Sequence, residues 1–406
     1  MPSLRIGFVS MHTSPADAPG AGDAGGMNVV ELNLARALAR QGHRVDLITR
    51  RARPDAPDAV ALDPGVTLRH LDAGPRQALA KSAIDAHIEE FGRHLGRLEP
   101  YDLLHSHHWM SGVAALPVAR RWGVPHLQSF HSVAALPGSE LAQGEPPESP
   151  ARMPGEALVA RESDLIVAVS TAEARTVIER CGARPDLVRV VPPGVDHRLF
   201  RPAEPGEPAP EGPWAGSALG YVLFAARLQP LKAPDLAVAA LAALPAGRRP
   251  HLVVAGDVSE DFAAYRAELD RVVAAAGMRD TVTFVGPQQP EELAQLMRHA
   301  RVFLVPSHSE TFGLVALEAA ASGVPVIASA AGGLREVVVH SETGLLMLDR
   351  SPAAWAAALG RLLDDEPLRA RMGLIARVHS FRFSWADAAQ RLTRLYLKAV
   401  SGGGWR

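Results

Sequence analysis

Cysteine is almost absent from this chain, since Cys181 is the single one among 406 residues. One thiol cannot form an internal disulfide, so the sequence predicts a protein of a reducing compartment, and we expect a cytoplasmic location. The chain also lacks an apolar run of the roughly 18–20 residues that a membrane span requires. Its first residues lack the charged region and the cleavage site of a signal peptide, so no membrane span or leader is expected.

An excess of either charge is missing too, because 42 basic and 44 acidic residues leave a formal net charge of −2. Without a basic surplus or a Lys/Arg tract, nucleic acid is excluded as a partner. The chain has no D-x-D pair, which argues against a metal-bridged diphosphate. His105, His107 and His108 cluster, but no cysteine or carboxylate completes a ligand set, so no metal is expected.

Short apolar segments alternate with stretches of helical periodicity along most of the chain. The alternation begins with RIGFVS (5–10) and a helical pattern near 27–41, and it restarts at YVLFAAR (221–227). Strands that alternate with helices are typical of parallel sheets covered on both faces. The sequence therefore predicts an α/β fold with two Rossmann-like, doubly wound domains that face each other across a cleft.

A stretch rich in Pro, Gly and Glu interrupts this alternation and has no periodicity, as expected for an inter-domain linker. We place the N-terminal domain at 1–200, the linker at 201–217 and the C-terminal domain at 218–380, followed by a last helical pattern within 381–406. Ligands of such sheets bind beyond the carboxyl ends of the strands. The residues at those positions are therefore the candidates for function.

Two strand-to-helix loops are candidates for binding phosphate. Gly25 and Gly26 open the first predicted helix, where bare backbone N–H groups attract anions and glycine permits a close approach. Arg227 ends a predicted strand, and Lys232 follows five residues later, just before a helix. Two cations in one loop suit a diphosphate. The alternatives are a plain flexible loop at the glycines and a pair of surface cations.

The segment SETFGLVALEAAASGVPV (309–326) contains two glutamates eight positions apart. Glu310 precedes a predicted helix that Ser309 or Thr311 is expected to cap, and Glu318 lies inside it. The backbone N–H groups of residues 312–314 in its first turn form a further anion site. A solvated helix face would explain a single glutamate. The pair favours a role in which the Glu318 carboxylate accepts hydrogen bonds from the two hydroxyls of a ribose.

Taken together, these motifs resemble the retaining glycosyltransferases of the GT-B fold, of the glycosyltransferase family 4 type. The resemblance rests on the E-x7-E of Glu310 and Glu318, the R-x4-K of Arg227 and Lys232, and the Gly-Gly pair. Within this family the chain resembles the mycothiol-pathway enzymes, which transfer N-acetylglucosamine from a UDP donor to 1D-myo-inositol 3-phosphate. The segments that resemble this branch are SMHTSP (10–15), GDAGGMNV (22–29), DLLHSHHWMSG (102–112), RWGVPH (121–126), VVPPGVD (190–196) and LQPLKAPD (228–235).

The resemblance implies a role for each matched residue of the donor site. The N-terminal domain is implied to lie on the acceptor side, the C-terminal domain to bind the nucleotide sugar, and residues 381–406 to cross back to the N-terminal domain. The implied donor-binding residues are Gly25, Gly26, Arg227, Lys232, Glu310, Phe312, Gly313, Leu314 and Glu318. The implied catalytic residues are His131, which lines the reacting carbon, together with Arg227, Lys232 and Glu310.

The implied acceptor-binding residues are His12, Asn28, Lys81, His108, Ser132 and Arg152. Where the family usually has Tyr and Thr, this chain has His108 and Ser132. A related enzyme that uses a GDP- or other NDP-sugar and a different polar acceptor, such as ergothioneine in lincosamide assembly, therefore remains an alternative. No cofactor is expected besides the nucleotide-sugar donor, and the partners implied are these two small molecules, with a homodimer possible.

Two other classes of function share this two-domain shape. A sugar-nucleotide epimerase would need no acceptor pocket, and the cations Lys81 and Arg152 argue against it. A non-catalytic binding protein would keep the fold but lose Arg227, Lys232 or Glu310, and all three are present.

Overall fold

The computed structural model describes residues 2–17, 24–136, 149–258 and 262–402. The described chain forms two lobes, each built on one sheet. We call the eight-stranded sheet with its helices the first lobe and the six-stranded sheet with its helices the second lobe. Residues 403–406 of the predicted 381–406 segment lie outside the described residues.

The sheet of the first lobe has the strand order β3-β4-β2-β1-β5-β6-β7-β8. Its strands pair in parallel, except that β3 runs antiparallel to β4 at one edge. The strands are β1 Arg5–Ser10, β2 Arg44–Arg50, β3 Ala59–Asp63, β4 Val66–Leu71, β5 Leu103–His107, β6 His126–Ser129, β7 Leu165–Ala168 and β8 Val188–Val190.

The sheet of the second lobe has the strand order β11-β10-β9-β12-β13-β14, and all its strand pairs are parallel. The strands are β9 Tyr221–Ala225, β10 His251–Ala255, β11 Val282–Gly286, β12 Val302–Val305, β13 Val326–Ser329 and β14 Gly344–Met347. In both sheets the strand order reverses beside the first strand of the lobe, which creates the crevice where ligands of doubly wound sheets bind.

Helices cover both faces of each sheet, and the central strands β5, β9 and β10 are buried at every position. Continuous apolar burial is expected for parallel strands that lie between two layers of helices. The helices are Gly26–Arg40, Lys81–Ile84, Ile88–Leu95, Trp109–Trp122, Arg152–Glu162, Thr171–Cys181, Pro234–Ala242, Tyr265–Ala275, Pro290–His299, Leu314–Ala321, Leu334–Val337, Pro352–Asp364, Glu366–Ser380 and Trp385–Val400.

The last helix, Trp385–Val400, packs on the first lobe although it follows the whole second lobe in sequence. Its side chains Leu392 and Tyr396 belong to the core cluster that also contains the apolar face of the Gly26–Arg40 helix. The Tyr396 hydroxyl lies 2.7 Å from Nδ1 of His105 on β5. The C-terminal segment therefore completes the core of the first lobe.

The two lobes also contact each other beside the crevice. The Thr311 hydroxyl, in the second lobe, donates to the backbone carbonyl of His131 at 2.7 Å. The Ser170 hydroxyl donates in turn to the Thr311 carbonyl at 2.5 Å. These hydrogen bonds fix the distance between the loop after β6 and the loop after β12. They therefore hold the two sides of the crevice at a set separation.

The predicted linker 201–217 is folded against the second lobe. Trp214 is 6% exposed and its ring packs on Tyr221 with centroids 5.6 Å apart. Glu207 pairs with Arg201 at 2.8 Å and also pairs with Arg298. Among the helices that the structure describes, none combines the length and the apolar composition that a membrane span requires.

Candidate functional site

A cavity of about 180 Å³ lies between the lobes, beyond the carboxyl ends of the strands. The first lobe contributes the loop after β1, the start of the Gly26–Arg40 helix and the loops after β5 and β6. The second lobe contributes the loop after β9 and the segment that leads into the Leu314–Ala321 helix. The crevice between the two doubly wound sheets is therefore closed by residues from several separate loops.

The Gly26–Arg40 helix directs its N-terminus at this cavity. The Asn28 side chain holds the preceding loop, because its Oδ1 accepts from the Gly25 N–H at 2.9 Å and its Nδ2 donates to the Ser14 carbonyl at 2.6 Å. A Cβ built on Gly26 would meet no atom within 4 Å. The helix start thus presents free space beside its first N–H groups, which is the arrangement that binds phosphate.

The loop after β9 places two cations opposite that helix start. Arg227 lies so close to Gly25 that a Cβ on the glycine would stand 3.6 Å from the arginine Nε. The Lys232 ammonium is 2.6 Å from Oε1 of Glu310, which also accepts from the Ser307 hydroxyl at 2.9 Å. Both lobes therefore direct positive charge at one point, as a diphosphate requires.

The backbone of Glu310 is held by two glycines of the next loop. The Gly333 N–H donates to the Glu310 carbonyl at 2.9 Å. Gly332 has φ of +49°, and a Cβ there would lie 2.0 Å from the same carbonyl oxygen. Because no side chain fits between the two loops, the position of Glu310 depends on glycine at position 332.

The helix after β12 begins later than the sequence predicts, so the expected cap is wrong. Gly313, with φ of +97°, precedes the Leu314–Ala321 helix, and no side chain caps it. The Thr311 hydroxyl binds the His131 carbonyl instead. The first N–H groups of the helix remain available for a ligand, and Phe312, Gly313 and Leu314 line the cavity.

Glu318 is the second glutamate of the pair and is 6% exposed. Burial raises the pKa of its carboxyl group to about 8. Among the described residues no side chain or backbone group donates a hydrogen bond to it. It does not reach the wall of the cavity, although it lies on the helix whose first turn does. A buried carboxyl group without a protein partner is a candidate for a ligand hydroxyl.

Replacement of Glu318 by glutamine is expected to remove a pH dependence of stability. The folded-state pKa is raised, so the folded protein holds a proton that the unfolded chain releases above its ordinary pKa of 4.5. Stability therefore falls as pH rises from about 4.5 to about 8, by a few kcal/mol in total. The melting temperature of the variant, relative to that of the parent protein, should rise between pH 5 and pH 8.5. Exposed Glu179 changed to Gln is the control, and a constant difference between variant and parent would contradict the prediction.

His131 follows β6 and has a left-handed backbone, with φ of 58°. Such a conformation costs about 1–3 kcal/mol in a non-glycine residue and persists only where neighbours impose it. Its carbonyl is held by Thr311, and its ring Nε2 lies 2.8 Å from Nδ1 of His107. Burial lowers the pKa of His131 to about 4, so the ring is neutral at pH 7.

His12 and His108, two residues of the predicted acceptor site, line the cavity and pack with ring centroids 4.2 Å apart. Burial lowers the pKa of both rings well below the usual value, and the positive charge of Lys81 lowers both further. Among the described residues, neither ring nitrogen of His108 has a hydrogen-bond partner. Two neutral imidazoles thus offer unpaired polar atoms to a ligand.

Arg152 is 2% exposed and does not line the cavity. Its Nε donates to Glu156 at 2.9 Å, and its Nη2 donates to the Ser132 hydroxyl at 3.2 Å. Ser132 lines the cavity. Any contact of Arg152 with a ligand therefore depends on movement or acts through Ser132.

The structure brings the predicted site residues to one cavity, except Arg152 and Glu318, which lie just outside its wall. Their individual roles stay predictions. The sequence reasoning did not find several lining residues, because they belong to no charged or glycine-rich pattern. These are Thr13, Met27, Val30, Val169, Pro193 and Thr311. Glu31 was also missed as a candidate residue. Its place among the apolar positions of the first predicted helix was a feature of the sequence that could have indicated it.

Models of known families match both lobes. The family described as "Glycosyl transferase 4-like domain" matches residues 25–194, and "Glycosyl transferases group 1" matches residues 218–379. The solved structure of sucrose-phosphate synthase from Thermosynechococcus elongatus superposes with a TM-score of 0.88 at 29% identity, covering 98% of this chain and 100% of that one. HepE of Anabaena shares the fold at 21% identity, with a TM-score of 0.74 and coverage of 97% and 99%. Fold and site thus define a glycosyltransferase of the GT-B fold.

Relatives with similar sequences narrow the class of glycosyltransferase further. A D-inositol 3-phosphate glycosyltransferase of Kineococcus radiotolerans is 42% identical over 98% of this chain and 95% of that protein. One of Acidothermus cellulolyticus is 40% identical over 98% of this chain and 91% of that protein. The chain belongs to the family of these D-inositol 3-phosphate glycosyltransferases. The predicted fold class and the predicted glycosyltransferase activity are confirmed.

Proposed function

We propose that this glycosyltransferase transfers N-acetylglucosamine from UDP-N-acetylglucosamine to 1D-myo-inositol 3-phosphate. The observation that carries the proposal is that cations from both lobes line one cavity. Arg227 and Lys232 supply the charge for a donor diphosphate, and Lys81 supplies the charge for the phosphate of an acceptor. An epimerase binds no acceptor, so it would not need the positive charge of Lys81. The names of relatives that are 40–42% identical support the same acceptor.

The donor is proposed to lie with its diphosphate between the start of the Gly26–Arg40 helix and the loop after β9. Glu318 then accepts from the ribose hydroxyls, and Glu310 with the backbone of residues 312–314 holds the sugar. His131 stands beside the reacting carbon. Negative charge that develops on the departing diphosphate is stabilised by the two cations and the helix start.

The mechanism proposed is attack on the face of the sugar from which the diphosphate departs, with retention of configuration. A double displacement would need a carboxylate nucleophile on the opposite face. Glu310 is engaged by Lys232 and Ser307, and Glu318 lies beyond the wall of the cavity, so neither is offered as that nucleophile. The departing phosphate accepts the proton of the acceptor hydroxyl, and closure of the lobes excludes water.

The proposed function is tested by release of UDP from UDP-N-acetylglucosamine, measured with 1D-myo-inositol 3-phosphate, with unphosphorylated myo-inositol and with no acceptor. We expect release that requires the phosphorylated acceptor, and a disaccharide-like product with one added N-acetylhexosamine by mass spectrometry. Conversion of the sugar without an acceptor would instead identify an epimerase. Absence of turnover with every acceptor would favour the binding-protein alternative.

A second candidate, a related enzyme with another nucleotide and acceptor, is favoured by His12 and His108, whose Nδ1 atoms have no hydrogen-bond partner within the described part of the chain. Thermal-shift measurements with UDP and GDP discriminate between the two, because a ligand stabilises the folded state by mass action. At a concentration of 100 times Kd, a nucleotide adds about 2.7 kcal/mol. We expect a larger rise in Tm with UDP. A larger rise with GDP would contradict the proposed donor and favour the second candidate.

A homodimer and a cytoplasmic location stay predictions. The latter rests on the single cysteine, Cys181, which is buried and whose thiol pKa burial raises.

A further inference from the structure

Behind His131 lies a buried polar group that the proposed reaction does not use. It consists of His107 at the end of β5 and Glu31 on the Gly26–Arg40 helix, and both residues are 0% exposed. Nδ1 of His107 is 2.8 Å from Nε2 of His131 and 3.7 Å from Oε1 of Glu31. Burial without partners is costly for polar groups, so this arrangement calls for an explanation.

The proton between the two histidines can be located from their surroundings. Among the described residues, Nε2 of His107 is buried and has no hydrogen-bond partner. A proton on Nε2 would create an orphaned N–H, which is rarer in proteins than an under-satisfied acceptor. A proton on Nδ1, by contrast, points at an acceptor, His131 Nε2 at 2.8 Å, while Glu31 Oε1 lies 3.7 Å away, beyond hydrogen-bond distance. His107 therefore donates from Nδ1, and His131 accepts at Nε2.

The neighbouring His105 packs on the His107 ring, and hydroxyl groups bond both of its own ring nitrogens. Its Nε2 lies 3.0 Å from the Ser129 hydroxyl, which itself donates to the Val167 carbonyl at 2.8 Å. Ser129 must then accept from His105. The His105 ring packs against His107 with centroids 4.5 Å apart, which blocks rotation of the His107 ring. The orientation of His107 is thus imposed from several sides.

We propose that His107 and Glu31 are positioning residues that hold His131 as the Nδ1–H tautomer and fix its ring, so that the donor sugar always meets a hydrogen-bond donor. A neutral imidazole that accepts at Nε2 carries its proton on Nδ1. This leaves Nδ1–H as the group that His131 can offer to the cavity it lines. The inference rests on the proposed contact between His131 and the donor sugar.

Glu31 supports this assignment from the far side of His107. Burial raises the pKa of its carboxyl group well above the usual value, which favours the neutral form. Its carboxyl oxygen still carries partial negative charge next to Nδ1 of His107. That charge favours a proton on Nδ1 over one on Nε2. Glu31 is therefore expected to contribute less than His107, which bonds His131 directly.

The direct test is the ¹⁵N NMR spectrum of the imidazole groups in histidine-labelled protein. The His131 signals are identified by their loss in the His131→Asn variant. We expect the Nδ1–H pattern for His131 in the parent protein. In the His107→Leu variant we expect the Nε2–H pattern to replace or accompany it. Retention of the pure Nδ1–H pattern in His107→Leu would overturn the inference, whatever the activity of the variant.

Kinetics supply an independent readout with UDP-N-acetylglucosamine and 1D-myo-inositol 3-phosphate. His107→Leu should lower kcat roughly 10- to 100-fold, as loss of a partner that orients a ligand-binding histidine does. KM for the donor should stay nearly constant, since the interaction improves in the transition state. His107→Asn should recover much of the loss, because its amide nitrogen takes the place of Nδ1. Glu31→Leu should show a smaller loss than His107→Leu.

The matched control is His126→Asn, at the start of β6 and away from the cavity. His126 is as buried as His107, but its ring nitrogens bond Ser106 at 2.9 Å and Ser163 at 3.0 Å. The control should change Tm and leave kcat unaltered. Equal losses in His107→Leu and His107→Asn would refute the positioning role. An unaltered kcat in His131→Asn would refute the proposed role of His131, while the NMR result would still decide the tautomer.

Discussion

Replacement of Lys232 by methionine is expected to lower kcat for glycosyl transfer by roughly 100- to 1,000-fold. The methionine side chain keeps the length of lysine and removes its charge. In the proposed donor complex that charge lies where the diphosphate gathers negative charge as it departs, in a site that is partly closed to water. The loss should appear in kcat more than in donor KM, and initial rates over a range of donor concentrations measure both.

The interpretation of this variant requires a second one, because Lys232 also pairs with Glu310 at 2.6 Å. Lys232→Met leaves that carboxylate without its cation. If the lost charge on the phosphates causes the defect, the double variant Lys232→Met/Glu310→Gln is at least as slow as Lys232→Met. If the stranded carboxylate causes it, the double variant is faster than Lys232→Met and reaches the rate of Glu310→Gln alone, which would contradict the assignment. Lys398→Met, on the last helix, is the control for loss of a lysine elsewhere.

Glu310→Gln is expected to lower kcat by about 100-fold while the product keeps the configuration of the donor. Glutamine can still accept from Lys232 and Ser307, but it weakens the hydrogen bonds that hold the sugar, and a small misplacement of a substrate costs about this factor. NMR of the anomeric proton of the product reads out the configuration. Glu310→Asp, which keeps the charge and shortens the side chain, should fall between the parent and Glu310→Gln.

A nucleophilic role of Glu310 would give a different result. Turnover would vanish completely in Glu310→Gln, and a covalent glycosyl-enzyme would accumulate in the parent protein when the acceptor is withheld. Mass spectrometry of the rapidly quenched parent protein detects such an adduct. Its presence on Glu310 would rule out attack on the face of the leaving group and establish a double displacement.

The sequence was sufficient to predict the two sheets and the end of each sheet where the cavity lies. Parallel strands place their following loops at one edge, so Gly26, Arg227 and Glu310 converge without any knowledge of side-chain contacts. The Pro- and Gly-rich stretch at 201–217 also stood out by composition. Its packing against the second lobe through Trp214 depends on a surface that no local pattern describes.

The details that sequence alone did not predict depend on strand order or on contacts between lobes. His107 and His131 meet because β5 lies next to β6, and chain order alone does not establish that adjacency. Thr311 was expected to cap its own helix, a preference set by local geometry. In the folded protein its hydroxyl finds the His131 carbonyl in the other lobe, so a tertiary hydrogen bond displaces the local one.

The return of the last helix to the first lobe has a consequence for biosynthesis. A ribosome releases the eight strands of the first lobe long before it makes Trp385–Val400, and domains usually fold in the order of their synthesis. The groove that receives Leu392 and Tyr396 must stay exposed until the ribosome has made the second lobe and the Trp385–Val400 helix. The nascent first lobe therefore presents an apolar surface to chaperones throughout elongation, and premature termination after the second lobe should yield aggregates instead of a shortened enzyme.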